Sequence, residues 1–337
     1  MVKLNKKKKA YLLVVFGLII LTLGVLLSIS LGANDMSFAT TIQSLFSSNV
    51  DINTNIVKDI RLPRAIAAVL VGGFLAVSGA IMQGITRNPI ADPSVMGITQ
   101  GATFTIALAL VLQTLVPGVA LGSFGLMIFA FLGASISGVL VYFLSSKSRG
   151  KVDPVKLALA GTALGTLLVS LAMAISMYFN LSQQLSFWIS GGLTSAKWEG
   201  VKLLFIVGGL STILAMIMAP KITILSLGEE VAIGLGQKTN LVRFICLMLV
   251  ILLAGSSVAV AGNIVFVGLI VPQIVKSIVG ADYKYIISCS LVLGSILLVY
   301  SDIIARMINP PFETPIGSLT ALLGVPVFIY LVRKETK

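Results

Sequence analysis

Histidine is absent from this chain of 337 residues, and cysteine occurs only twice, at Cys246 and Cys289. A zinc enzyme, a histidine-lined metal channel and a histidine proton relay are therefore not expected. Both cysteines fall inside apolar segments, which favours small buried side chains over a disulfide framework or a metal site. A membrane enzyme would need clustered His, Cys or carboxylate side chains, and no such cluster is visible, so we expect no catalytic residues and no metal ligands.

Charged residues are also scarce, and acidic residues are the scarcest. Only 11% of the chain is Asp, Glu, Lys or Arg, where a soluble globular chain has about a quarter. Twelve acidic residues stand against 24 basic ones, and 57% of the chain is hydrophobic. This composition argues against a soluble globular domain and predicts a protein of the lipid bilayer.

Long apolar runs are what the sequence has in abundance. A membrane-spanning helix needs about 20 mainly apolar residues to cross about 30 Å of hydrocarbon. Runs of this kind cover residues 11–31, 65–82, 96–115, 119–144, 155–179, 201–219, 241–261, 264–279, 285–305 and 316–332. The alternation of a β-barrel strand is missing. The sequence therefore predicts an all-α polytopic membrane protein, a single transmembrane domain over residues 1–337 with about ten transmembrane helices.

The distribution of basic residues predicts the orientation. The tail at residues 1–10 is basic, and we do not expect it to begin a cleaved signal, because the apolar run is too long and no small-residue cleavage site follows. With this tail in the cytoplasm, eighteen of the 24 cations fall on the inner side. The six on the outer side are Lys58, Arg61, Arg64, Lys197, Lys202 and Arg306. The positive-inside rule then places both termini in the cytoplasm, and topology explains the basic excess without a nucleic-acid partner.

The longest predicted cytoplasmic loop, residues 220–240, contains "LGEEVAIGLG". Glu229 and Glu230 would begin a short helix between glycines, where the helix dipole favours acidic side chains. Such a helix could be gripped by another protein, or it could be a solvated loop whose acids cap the helix. The neighbouring "GLGQKT" is not a phosphate-binding loop, because Gln237 stands where glycine should precede Lys238.

Four ordered motifs carry a family resemblance. They are "RLPRAIAAVLVGGFLAVSGAIMQGITRNPIADPSVMGITQGA" (61–102), "GNIVFVGLIVPQIVKSIVGAD" (262–282), "SDIIARM" (301–307) and "PIGSLTALLGVPVFIYL" (315–331). Together they resemble the permeases of bacterial ABC importers for iron-siderophores and vitamin B12. The resemblance implies a non-catalytic permease in the bacterial plasma membrane, paired with a second permease, two ATPase subunits inside and a substrate-binding protein outside. ATP and Mg would be bound by the ATPases, and this chain would bind no cofactor.

The resemblance also implies roles for particular residues. The ATPase-coupling segment would comprise Gly228, Glu229, Glu230, Ala232, Gly234, Leu235 and Gly236. Arg61, Arg64 and Arg306 would dock the binding protein through its glutamates. From sequence alone, these arginines could equally extend to water from the membrane interface. Arg306 has a further candidate partner in Asp302, one helical turn earlier.

The segment 155–179 is expected to line the translocation path. The resemblance places Thr162, Thr166, Ser170, Met173 and Met177 there, and weakly polar groups would let a bulky chelate pass without trapping it. Gly161 and Gly165 are expected to allow close helix packing instead. The segment "RNPIADPSVMG" (87–97) predicts a structural elbow.

Some positions depart from the family pattern. Gln273 stands where histidine is common, Lys276 where arginine is common, and Tyr283 and Lys284 where the family has His-Arg. These departures favour a heterodimer over a homodimer of permeases. The expected cargo is an iron-siderophore chelate, with hydroxamate preferred and haem, catecholate siderophore and cobalamin as alternatives. An ion-coupled secondary transporter is the rival function, although its usual ionisable groups at midplane are missing from the predicted helix centres.

Overall fold

The computed structural model describes residues 6–32, 36–47, 51–116, 118, 120–146, 154–310 and 312–335. Over these ranges the chain is built of helices. They are α1 (Lys6–Ser30), α2 (Phe38–Phe46), α3 (Ile52–Asn55), α4 (Leu62–Thr86), α5 (Ile98–Leu115), α6 (Ser123–Ser145), α7 (Pro154–Tyr178), α8 (Ser182–Ile189), α9 (Trp198–Leu203), α10 (Gly209–Ser226), α11 (Glu229–Gly234), α12 (Thr239–Ala261), α13 (Val267–Val279), α14 (Tyr283–Met307) and α15 (Ile316–Glu335).

Eight of the described helical segments are long and apolar enough to cross a membrane, and α13 and α15 are shorter apolar helices. The predicted fold class is therefore confirmed, and the count of about ten spans agrees with this set. The apolar run at 264–279 forms a shorter helix than the predicted membrane span. Its helix α13 has only 13 residues, a rise of about 20 Å, because residues 262–265 before it are not helical.

Two spans are longer than their apolar runs predicted. The helical segment containing α4 begins at Ile52, and the one containing α10 begins at Trp198. Each includes a π-helical stretch, Ile56–Arg61 in the first and Leu204–Gly208 in the second. The indole Nε1 of Trp198 donates to the carbonyl of Lys58 at 3.0 Å, so the start of one span is bonded to the start of the other.

Helix α4 is the centre of the bundle and is buried over almost its whole length. Two of its glycines meet the backbone of neighbouring helices: Gly72 lies against Gly294 of α14, and Gly79 against Gly268 of α13. A Cβ atom at either position would overlap the facing carbonyl group. Small residues are what allow helix backbones to approach so closely in membranes.

A second group of helices is packed in the same way. Gly101 of α5 and Gly133 of α6 face each other backbone to backbone. Gly161 of α7 lies against the carbonyl of Val95 in the turn before α5, which confirms its predicted packing role. Between the two groups lies α12, whose Ile251 side chain meets Gly138 of α6, so there a side chain mediates the contact.

Candidate site residues lie at the two ends of the bundle. We call one the arginine end, which carries Arg61, Arg64, Arg306 and Glu313, and the other the α11 end. The loop predicted over 220–240 is shorter than expected, because α10 continues to Ser226 and α12 begins at Thr239. The two cysteines are buried thiols, as predicted.

Part of the predicted basic pattern lies outside the described residues. Lys6 to Lys9 form the first turn of α1 rather than a separate tail. The predicted inner-side cations that lie outside the described residues are Lys3, Lys147, Arg149, Lys151 and Lys337.

Candidate coupling, docking and translocation sites

The predicted coupling segment forms a short helix at one end of the bundle. Gly228 precedes α11 with φ 139°, a conformation that side-chain-bearing residues rarely adopt, and its carbonyl accepts from the N–H of Ala232 at 3.1 Å. Gly234 ends the helix, and Leu235 and Gly236 follow it. Ala232 is buried against the bundle, whereas the other apolar side chains around it are mostly exposed. The exposed ones are Leu227, Val231, Ile233 and Leu235.

The two adjacent glutamates have different surroundings. Glu229 Oε2 lies 3.1 Å from Arg243 Nη2 of α12, and Arg243 is buried, so this ion pair ties α11 to the bundle. Glu230 is exposed and has no ion pair among the described residues. The family resemblance predicted that Glu229 and Glu230 both contact the ATPase. The geometry leaves Glu230 open to a partner and gives Glu229 a role inside the chain.

At the arginine end, Arg64 is held by two carboxylates. Its Nε and Nη2 donate to Asp302 Oδ1 at 3.0 and 2.8 Å, and Nη1 and Nη2 donate to the carboxylate of Glu313 at 2.6 and 3.0 Å. The Arg64 side chain is 8% exposed, and Asp302 is fully buried. Thr194 donates a further hydrogen bond to Glu313 Oε2. These contacts join α4, α14, the segment before α15 and the 190–195 loop.

Arg306 and Arg61 complete the group that we call the arginine cluster, which consists of Arg61, Arg64, Arg306, Asp302 and Glu313. Arg306 forms the predicted ion pair with Asp302, at 3.0 Å, and donates to the carbonyls of Ser28 and Leu31. Arg61 donates to the carbonyls of Ile29 and Ser30 at 3.0 and 2.7 Å. Both arginines therefore satisfy carbonyl groups that the end of α1 leaves without helical partners.

Burial changes the interpretation of these three arginines. The alternative in which they extend into water does not describe them, because none is more than about a tenth exposed. The cluster brings three guanidinium groups and two carboxylates together. Their docking role stays a prediction.

Glu313 was missed at the sequence level. Its partner Arg64 is 249 positions away, and no local pattern marks such a contact. Burial raises the pKa of Glu313, but hydrogen bonds from Arg64 and Thr194 and the attraction of the nearby guanidinium groups outweigh it. The pKa of Glu313 is therefore lowered from its ordinary value, and the group is held as a carboxylate.

The five residues predicted for the translocation path share one face of α7. Thr162, Thr166, Ser170, Met173 and Met177 are all exposed in the chain by itself. The hydroxyls of Thr162 and Thr166 donate to carbonyls of their own helix, at 2.9 and 2.8 Å. The face thus offers methyl groups, thioethers and satisfied hydroxyls, which is a weakly polar surface.

Two of the residues that depart from the family pattern, Gln273 and Tyr283, form hydrogen bonds with neighbouring helices. Gln273 of α13 donates to Gln83 Oε1 of α4 at 2.7 Å and to the carbonyl of Pro89 at 2.9 Å. Gln83 donates in turn to the carbonyl of Leu269 at 3.0 Å. Tyr283 is buried, and its N–H donates to Thr223 Oγ1, whereas Lys276 is exposed. Gln273 therefore fastens the elbow at residues 87–97 to two helices.

Comparison with known proteins identifies a family and related permeases. The FecCD transport family matches residues 20–334. The iron(3+)-hydroxamate import permease FhuB of Bacillus subtilis is 46% identical, over 97% of this chain and 84% of the relative. The iron-uptake permease FeuB of the same organism is 42% identical, over 94% and 93%. An inward-facing metal-chelate type ABC transporter superposes with a TM-score of 0.81 and 28% identity, over 95% of this chain and 98% of that one.

The family match and these relatives extend across the long apolar helices, both ends of the bundle and the motifs from which the resemblance was inferred. The chain belongs to the FecCD transport family.

Proposed function

We propose that this chain is the membrane-spanning permease subunit of an ATP-driven importer that carries a ferric hydroxamate chelate across the bacterial plasma membrane. The observation that carries the proposal is α11, a short helix fixed to the bundle by Ala232 and Glu229 that presents apolar side chains and Glu230 outward. The hydroxamate cargo is supported by the 46% identity to a hydroxamate permease.

The α11 end is proposed to receive the ATPase subunits. Exposed apolar residues around one free carboxylate suit a protein interface, where apolar contacts supply affinity and charge sets register. The ion pair between Glu229 and Arg243 would carry the movement of α11 into α12. On this orientation both termini face the cytoplasm.

The arginine end is proposed to receive the substrate-binding protein. Arginine side chains of the cluster would meet glutamates of that protein, and such charges mainly govern encounter rate and register. The exposed face of α7 is proposed to meet a second permease subunit around the translocation path, with a non-identical partner preferred because of Gln273, Lys276 and Tyr283.

Uptake of radiolabelled cargo in a strain lacking this chain tests the proposal. Ferric hydroxamate, ferric catecholate and haem carry radioactive iron, cobalamin carries radioactive cobalt, and each is supplied separately. We expect loss of ferric hydroxamate uptake and its rescue by the wild-type chain. The Glu230→Lys variant should reach the membrane, fail to restore uptake and lose its ATPase on purification. Glu199→Lys, which reverses an exposed charge outside the α11 segment, is the matched control and should restore uptake.

Two results would contradict the proposal. Normal uptake of all four cargoes in the deletion strain would overturn the cargo assignment. Full rescue by Glu230→Lys, with the ATPase retained, would overturn the coupling role of α11.

A further inference from the structure

A cavity opens at the arginine end, apart from the α7 face. Its walls come from α5, α6, α8, the 190–195 loop, the end of α12 and the segment before α15. Its volume is about 920 Å³, near the upper end of the roughly 300–1,000 Å³ typical of small-molecule pockets. It is therefore large enough for a compact metal chelate.

The walls of this cavity are held by backbone contacts. The N–H of Gly192 donates to the carbonyl of Ala261 at 2.9 Å, which joins the 190–195 loop to α12. Gly191 lies against the carbonyl of Asn263 without room for a side chain. Glu313, held by Arg64 and Thr194, fixes the wall before α15. The cavity is thus enclosed by segments fastened to one another.

The lining is mainly apolar, with a few amide and hydroxyl groups, and is almost uncharged. Gln183 and Gln184 present amides, and Phe187 and Trp188 present aromatic rings. None of the described residues that line the cavity is Lys or Arg, and the one ionised group is Glu313. A multiply anionic ligand would lose hydration there and gain no cation in return. An uncharged ligand rich in amide groups would find both hydrogen-bond partners and rings to pack on.

We propose that this cavity receives the uncharged ferric hydroxamate chelate as it enters the permease and discriminates against anionic ferric catecholates. A ferric ion with three hydroxamate groups is neutral, because three negative ligands balance Fe³⁺, whereas three catecholates leave a trianion. The inference rests on the proposed function and adds to it a place for the cargo and a physical basis for its selection.

The test uses the fluorescence of Trp188 in the full-length chain, purified by itself in lipid nanodiscs so that no other subunit contributes tryptophan emission. Trp198→Phe leaves Trp188 as the remaining tryptophan of the two. Ferrichrome, a neutral ferric hydroxamate, should quench Trp188 saturably, and trianionic ferric enterobactin should require about tenfold or more higher concentration.

A cavity-filling variant and a matched control make the test specific. Gly192 lines the cavity and has open space around a built Cβ atom, so Gly192→Phe should occupy the cavity and weaken ferrichrome binding about tenfold or more. Gly209 of α10 also faces open space, and Gly209→Phe should bind as the wild type does. Gln184→Arg, which adds a cation to the wall, should narrow the gap between enterobactin and ferrichrome.

Equal binding by the Gly192 and Gly209 variants would overturn the cavity assignment. So would equal affinity of the wild-type chain for the neutral and trianionic chelates. Iron uptake in cells separates this failure from that of the proposed function. If wild-type chain restores ferric hydroxamate uptake while ferrichrome leaves Trp188 unquenched, the importer function stands and the cavity assignment falls; if no hydroxamate uptake is restored, both fall.

Discussion

At the scale of single residues, the arginine cluster shows how buried charge is made tolerable. Asp302 is fully buried and lies between Arg64, which donates to both of its carboxylate oxygens, and Arg306, which contacts Oδ2. Removing one member of a buried ion pair costs more than the pair contributes, because the remaining charge is left without a partner. Asp302 therefore matters mainly as the group that keeps two guanidinium groups together.

Asp302→Ala should lower the free energy of unfolding by about 3–5 kcal/mol, because it leaves Arg64 and Arg306 buried without their shared carboxylate. Thermal unfolding of the purified chain in detergent measures the loss. Asp59→Ala, at an exposed acidic residue, should change stability by less than about 0.5 kcal/mol. A similar melting temperature for the two variants would show that the cluster does not stabilise the fold.

The lowered pKa of Glu313 predicts how the same end responds to acid. A carboxylate with a depressed pKa contributes stability above the unfolded value of 4.5, and this contribution is lost as the pH falls through the lower folded value. The wild type should therefore melt higher than Glu313→Gln at neutral pH, and the difference should shrink below about pH 4.5. A difference in melting temperature that stays constant from pH 7 to pH 3.5 would contradict this assignment.

At the scale of elements, the elbow at residues 87–97 is held in place by the side chain of Gln273 from α13. Gln273 bonds both to the elbow and to Gln83 of α4, so one residue of α13 holds two neighbours. Gln273 is half-buried, and a lost partner there would leave polar atoms unsatisfied.

Gln273→Leu should loosen the elbow, because the carbonyl of Pro89 and Oε1 of Gln83 both lose their donor. We expect a loss of about 1–3 kcal/mol and faster amide hydrogen exchange over residues 87–97, read by mass spectrometry. Lys276→Leu, at an exposed position of the same helix, is the control and should leave exchange unchanged. Equal hydrogen exchange over residues 87–97 in both variants would show that Gln273 does not hold the elbow in place.

Elements also show which features follow from sequence and which do not. The long apolar helices and α11 follow from local patterns, apolar run length in one case and glycines around paired acids in the other, whereas the short helices α2, α3, α8 and α9 were not predicted. The contacts of Arg64 with Glu313 and of Gln273 with Gln83 join residues 249 and 190 positions apart. Such pairs depend on how helices pack together, and a single sequence contains no local sign of them.

At the scale of the whole molecule, the alternating path of the chain puts the arginine cluster and α11 at opposite ends of the bundle. The proposed orientation can be read with thiol labels, since both native thiols are buried and would stay silent. Lys197 and Lys238 are both exposed lysines and lie at opposite ends.

In intact cells, Lys197→Cys should react with a membrane-impermeant maleimide, and Lys238→Cys should react only after the membrane is opened. The physical reason is the excess of basic residues on the proposed cytoplasmic side, which fixes the orientation during insertion. Mass-tag labelling followed by electrophoresis gives the reacted fraction. If Lys238→Cys is labelled in sealed cells and Lys197→Cys is not, the proposed orientation is wrong and the chain is inserted the other way round.

The glycine contacts between helices are of two kinds. Gly72 and Gly79 bring the backbone of α4 against α14 and α13, and Gly101 and Gly133 do the same for α5 and α6, so these contacts include backbone atoms that no change of rotamer can move. Where α6 meets α12, the Ile251 side chain fills the gap at Gly138, and a side chain can change rotamer. Of these contacts, the one at Gly138 is therefore the one that can adjust by side-chain rotation, and α12, which is ion-paired to α11 through Arg243 and Glu229, connects the two places.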